Sequence, residues 1–217
     1  MKYMCFGSGS TGNCHALITD SEILLLDAGI KYKDVIKGVD YRVLDIIGVC
    51  VTHIHKDHSL AVKDFEKNGI EVFKPYDRLE QYRKMGNFEI YPFECKHDVT
   101  CYGFYIKHPE FGKLIYATDT SYIKYRFRNL NHMIIECNYD EEWLDNSEAK
   151  YEHVITGHME LKKTMDCISA NYNPKMKNVI FAHLSQDGVD PNKVLAEGQK
   201  VAKCDLWIAR KGIEIDL

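Results

Sequence analysis

The feature that most constrains this chain is His53-Ile54-His55-Lys56-Asp57-His58, which directly follows the apolar, β-branched run Ile46–Thr52. A continuous run of this kind predicts a strand buried on both faces. Residues two apart in an extended chain share a side, so His53 and His55 point together. Asp57 and His58 fall where the chain turns into a helix and face a different point. Three imidazoles and a carboxylate this close carry a cost unless something positive pairs with them. The cluster therefore predicts a metal site with room for two adjacent ions. Imidazole favours zinc, and carboxylates complete hard, hydrolytic sites.

More metal-binding residue types stand at the ends of apolar runs. Asp27 ends Ile23–Leu26, His97 follows Phe88–Phe93 with Asp98 beside it, Asp119 ends Leu114–Thr118, and His183 ends Val179–Ala182. Side chains at the tips of several strands converge on one rim, where folds place their chemistry. His15, His108, His132 and His153 lack such a context and read as surface or core-edge groups.

Elsewhere short β-type runs dominate the first half, and strands alternate with helices in the second. Helices are expected over Lys31–Lys37, Leu60–Asn68, Leu79–Met85 (stopped at Gly86), Glu141–Leu144, Leu161–Ala170 and Asn192–Ala202, with Leu206–Ala209 and Ile213–Ile215 as a closing strand pair. This order suits two sheets with helices outside. With 217 residues and no Pro/Ser/Gly-rich linker, one domain over residues 1–217 is expected. The formal net charge of −4 excludes a wholesale electrostatic grip on nucleic acid, though a local basic patch or bound cations would still attract phosphate. The eight cysteines contain no C-x-x-C pair and read as free core thiols. No apolar run is long enough for a signal peptide or a membrane span, so a soluble, cytoplasmic protein without membrane contact is expected.

The ordered motifs Asp27, His53-x-His55-x-Asp57-His58, His97, Asp119 and His183 resemble the metallo-β-lactamase fold superfamily over nearly the whole chain. The resemblance implies an α/β, four-layer αββα sandwich. It also implies two divalent ions, Zn2+ by default and Mn2+ as an alternative that suits the hard carboxylates. His53, His55 and His97 would hold the first, Asp57, His58 and His183 the second, and Asp119 would bridge them. Asp27 would orient the histidines without binding metal. The best-known class of members that hydrolyse β-lactams carries a cysteine at the Asp119 position, so that activity is disfavoured.

Ser8-Gly9-Ser10-Thr11-Gly12-Asn13, Glu136-Cys137-Asn138-Tyr139-Asp140, Gly157-His158 and His183-Leu184-Ser185-Gln186-Asp187 resemble the YycJ/WalJ-like branch, regarded as nucleases or phosphodiesterases. The chain departs from that branch at Tyr139, where a His is usual, and at Met159-Glu160. By analogy with the ribonuclease Z group, Glu136 would charge and orient His158 as an acid facing the scissile phosphate, with Asp57 steering the nucleophile. The expected function is a phosphodiesterase or nuclease acting on DNA or RNA through a hydroxide activated by two metals. The alternative is a small-molecule hydrolase of a thioester, lactone or cyclic nucleotide on the same site. If the chain self-associates, a dimer is expected. Ser8, Ser10 and Asn13 either contact substrate phosphate or belong to a glycine turn that holds a sheet edge. Tyr122, Tyr125, Arg126 and Arg128 read either as a solvated helix face or as residues that stack bases and hold phosphates.

Overall fold

Several strands are apolar at every position, and alternation within them shows why. In Ile23–Leu26, Leu24 and Leu26 enter one buried cluster while Ile23 and Leu25 enter another on the opposite face. In Asn178–Ala182, Ile180 and Ala182 face the first cluster, and Val179 and Phe181 face a third. Such strands need a covering layer on both sides. The computed structural model describes residues 1–78, 80–144 and 151–217 and supplies those layers.

Among the described residues the strands form two sheets. The first contains β1 (Lys2–Gly7), β2 (Cys14–Ile18), β3 (Ile23–Leu26), β4 (Ile46–Cys50), β5 (Val72–Phe73) and the last strand, β13 (Glu214–Asp216), in the order β13-β1-β2-β3-β4-β5. The second contains β6 (Arg83–Met85), β7 (Phe88–Cys95), β8 (Cys101–His108), β9 (Gly112–Ala117), β10 (His132–Glu136), β11 (Asn178–Ala182) and β12 (Asp205–Ile208), in the order β12-β11-β10-β9-β8-β7-β6. β3, β4 and β5 run parallel, as do β9 to β12. Both sheets therefore present the carboxyl ends of buried strands, and the chemistry-bearing residues follow those ends.

The inner faces pack together through Leu24, Leu26, Phe104, Tyr116, Ile134 and Ile180. Helices α1 (Tyr32–Gly38) and α3 (Val62–Lys67) cover the outer face of the first sheet with Val35, Ile36 and Phe65. Between them lies the single turn α2 (Lys56–Ser59). Helix α4 (Tyr151–Gly157) precedes α5 (Leu161–Asn171) and α6 (Pro191–Val201), which cover the second sheet with Met165, Ile168 and Val194. The result is the expected αββα sandwich. Asp190 caps α6 by accepting from Asn192 N at 2.8 Å, with Pro191 as the first helical residue. All eight cysteines are free. No described helix is long and apolar enough to cross a membrane.

Several local expectations are corrected. Arg83–Met85, read as part of a helix, is a strand paired with β7, and Leu79 lies outside the described residues. Gly86, with φ of 54°, makes a hairpin turn with Asn87 and does not stop a helix. The segment Glu141–Leu144 is a turn, held by Glu142 N and Trp143 N on Asp140. Leu206–Ala209 and Ile213–Ile215 do not pair: β12 joins β11 and β13 joins β1, in different sheets. Alternation reports which faces are apolar, not which strand is the neighbour. Finally, Tyr122–Phe127 is neither helix nor strand, with Ile123 buried and Tyr122, Lys124 and Arg126 exposed.

Candidate metal centre

Parallel strands β3, β4, β9, β10 and β11 end on one rim, and each releases a polar residue there. Asp27 follows β3, with φ of 61°; Asp119 follows β9, with φ of 51°; His183 follows β11, with φ of 52°. A left-handed backbone costs a non-glycine residue about 1–2 kcal/mol. Three such residues at one rim are therefore held by their surroundings, as at functional sites.

Asp27 is fully buried and fully engaged. Its Oδ1 accepts from Thr52 N at 2.8 Å and Thr52 Oγ1 at 3.0 Å. Its Oδ2 accepts from Tyr116 Oη at 2.6 Å and meets His58 Nδ1 at 2.8 Å. Holding the proton on Nδ1 turns His58 Nε2 toward the rim, where Asp119 Oδ2 lies at 2.5 Å. His97 Nδ1 donates to Gly157 O at 2.8 Å, which turns its Nε2 toward His55 Nδ1 at 3.4 Å and Asp98 Oδ1 at 2.9 Å. His53 Nε2 stands 3.5 Å from Asp119 Oδ2.

Ligand-type atoms of His53, His55 and His97 gather within 4.8 Å of one another, and so do those of Asp57, His58, Asp119 and His183. A third set, Asp119, Glu136, His158 and His183, overlaps the second. Glu136 is fully buried. Its Oε1 meets His158 Nδ1 at 2.7 Å and His183 Nδ1 at 2.9 Å, and its Oε2 accepts from Thr120 N and Met159 N at 2.9 and 3.1 Å.

Charge divides the rim into two halves. Burial and the neighbouring imidazole of His58 push His53 down to about 2, and burial also lowers His97. Their rings are neutral and offer lone pairs. Burial opposes the charge on His58, His183 and His158 as well, but nearby carboxylates outweigh it. Asp119 and Asp27 raise His58 well above its ordinary value, Asp119 and Glu136 bring His183 to about 9, and Glu136 and Asp119 bring His158 to about 10. Burial would raise Asp119, yet His183 and His58 hold it well below the carboxylate range. The carboxylates thus demand cations, which protons supply when no metal is bound. His53 Nε2 and His183 Nε2 are buried with no hydrogen-bond partner among the described residues. Orphaned ring nitrogens beside a hard, buried carboxylate fit divalent metal ions.

The glycine loop sits under this rim. Asn13 is buried, its amide held by Gly9 and 2.8 Å from His58 Nε2, and its backbone N donates to Asp57 O at 2.7 Å. Ser8 Oγ accepts from His183 N at 2.8 Å, while Ser10 is exposed. Ser8 and Asn13 thus brace His183 and His58. His15 and His132, expected at the surface or core edge, are fully buried, and His108 is buried too. His15 sits 2.8 Å from Tyr3 Oη in the core. The side chain of His153 lies outside the described residues. Three residues of the site have no role assigned from the sequence: Thr52 and Tyr116, the partners of Asp27, and Asn138, whose Nδ2 donates to His183 O at 2.9 Å. Tyr116 is legible as the inward position of β9; nothing local marks it as a partner of Asp27.

Residues 7–87 match the sequence model described as the Metallo-beta-lactamase superfamily. The αββα sandwich of this chain is the metallo-β-lactamase fold. The chain is 27% identical to the exodeoxyribonuclease YycJ of Bacillus anthracis, over 86% of this chain and 83% of that protein. It is 23% identical to the exodeoxyribonuclease WalJ of Streptococcus pneumoniae, over 86% and 82% of the two chains. The metallo-β-lactamase fold protein YhfI of Bacillus subtilis superposes with a TM-score of 0.74 at 19% identity, covering 99% of this chain and 98% of that one. Human tRNase Z, short form, superposes with a TM-score of 0.67 at 16% identity, covering 100% and 99%. These two share the sandwich fold with this chain.

Proposed function

We propose that this protein is a metal-dependent phosphodiesterase acting on nucleic acid, as its exodeoxyribonuclease relatives are named. The observation that carries the reading is the Glu136–His158 pair, 2.7 Å apart and beside Asp119, on the same rim as the His53, His55 and His97 group. His53, His55 and His97 would hold one ion, Asp57, His58 and His183 a second, and Asp119 would stand between them. Zinc suits the imidazoles and manganese the carboxylates. Divalent ions held there would supply Lewis acidity toward a phosphodiester and would lower the pKa of water to about 7.

The chain's own groups then have separate tasks. Asp27 keeps His58 in one tautomer. Asp57, partly exposed at the start of α2, faces the rim where it orients the attacking water. Glu136 holds His158 through Nδ1, which leaves Nε2 as the ring atom that delivers a proton to the leaving oxygen. General acid catalysis of this kind contributes about 10²–10⁴-fold. The demand depends on the leaving group: an alkoxide of DNA or RNA needs the proton, and p-nitrophenolate does not.

The test is hydrolysis of labelled DNA, labelled RNA and bis-p-nitrophenyl phosphate by protein loaded with zinc or manganese. Asp119→Ala should abolish all three. His158→Ala should lose about 10²–10⁴-fold on nucleic acid and far less on the p-nitrophenyl ester. Full activity in Asp119→Ala, or no phosphodiester cleavage with either metal, overturns the reading.

A further inference from the structure

A second feature opens from the same carboxylate. Glu136 Oε2 accepts from Thr120 N on one side and Met159 N on the other. The chain leaving Thr120 continues through Tyr122–Phe127, outside any helix or strand, and the chain leaving Met159 enters α5. Between these diverging walls lies a groove of about 440 Å³, lined by Tyr122, Lys124, Arg126, Met159, Lys163 and Asp166 among others. Its root is thus tied to Glu136, whose other oxygen holds His158.

The chemistry of the walls is specific. Tyr122 is 59% exposed, an aromatic face without a covering layer. The Arg126 guanidinium donates from Nε and Nη2 to Ala170 O at 3.2 and 3.0 Å, a neutral acceptor that leaves its charge uncompensated. Lys163 is exposed. Lys124 is paired with Glu94 at 2.6 Å, and Asp166 is the carboxylate among the lining residues. In a chain of net charge −4, this groove is locally positive and has an aromatic edge. Phosphate needs the first property and a nucleobase the second.

We propose that this groove binds the single strand of nucleic acid next to the scissile phosphate, with Tyr122 stacking a base and Arg126 and Lys163 holding backbone phosphates. The inference rests on the phosphodiesterase reading and names where its substrate lies. The groove's volume of about 440 Å³ falls in the range of small-ligand clefts, which suits a few nucleotides of a single strand better than a duplex. Ile123 is buried while Tyr122, Lys124 and Arg126 are exposed, so the aromatic and basic side chains share the open side of the segment.

The test is fluorescence anisotropy of the full-length protein with a labelled, nuclease-resistant phosphorothioate oligothymidylate, beside a duplex of equal length. Tyr122→Ala should weaken single-strand binding about 5- to 150-fold, the range of one lost base stack. Lys163→Glu should weaken it and reduce the slope of log affinity against log salt by about 0.7 for each phosphate no longer neutralised. Asp166→Lys should tighten it several-fold, a gain that unfolding cannot mimic. Wild-type affinity in all three variants, while the wild type still cleaves DNA, overturns the groove and leaves the phosphodiesterase reading standing. Equal losses on duplex and single strand overturn the single-strand assignment. A wild type that neither binds nor cleaves oligonucleotides overturns both.

Discussion

Asp27 takes four hydrogen bonds in a fully buried site, from the backbone and hydroxyl of Thr52, from Tyr116 and from His58. Asp27→Asn replaces an acceptor with an amide and leaves a buried donor facing Tyr116 or His58. Hydrogen bonds to a charged group contribute about 1.5–3 kcal/mol each. We expect urea unfolding to show a loss of at least about 2 kcal/mol. Metal affinity should fall about 10–100-fold as His58 loses its orienting partner. Titration with a chromophoric chelator measures the second effect. The imidazoles of the same rim predict a pH dependence. In the metal-free protein His183 sits at about 9 and His158 at about 10, both above the ordinary 6.5. Their protonation stabilises the fold fully below about 6.5, and that stabilisation is lost as pH rises through about 9 and about 10. Chelator-treated protein should therefore melt at progressively lower temperature from about pH 7 to about pH 10, and His158→Ala should flatten the curve. A melting temperature constant across that range would contradict the charge pattern described for the rim.

At the scale of elements, the loop after β3 and the turn α2 touch without room for a side chain. A Cβ on Gly29 would lie 1.6 Å from Asp57 O, so the two backbones pack directly. Gly29→Ala must push Asp57 and His58 away from Asp119. The expected cost is at the upper end of overpacking, about 3 kcal/mol or more, with metal content reduced in whatever protein folds. Calorimetry and metal analysis read the two. The Ser8–Asn13 loop packs into the same place, where Asn13 N reaches Asp57 O, and its small residues let it brace α2. From sequence, a Gly-Ser-Thr-Gly loop reads equally well as a phosphate cradle, since both uses need small residues and bare N–H groups. The strand-end placement of Asp27, His53, Asp119 and His183 was legible, because apolar runs end abruptly at each. The hairpin at Gly86-Asn87 was not. A glycine after a short mixed run ends a helix or turns a hairpin with the same letters, and the pairing partner decides.

For the whole molecule, the rim joins the two halves of the sandwich. Asp27, His53 and His58 belong to the first sheet's side, and Asp119, Glu136 and His183 to the second. An ion bound across them ties the sheets together in the folded state only. At a concentration one hundred times its dissociation constant such an ion adds about 2.7 kcal/mol. For a chain of this size that is a rise in melting temperature of about 5–11 °C. Scanning fluorimetry with and without zinc or manganese measures it, and no shift with either ion would separate the site from the fold's stability. The layers of the sandwich and the residues at its rim were already written in the amino-acid order. Two-sided burial needs uninterrupted apolar strands, and clustered imidazoles and carboxylates need a cation; both demands are local and leave a local trace. Folding in three dimensions settled which strands neighbour one another, that Glu136 reaches His158 across 22 positions, and that a groove opens beside them. Those are distances between segments that carry no mark of each other until packing brings them together.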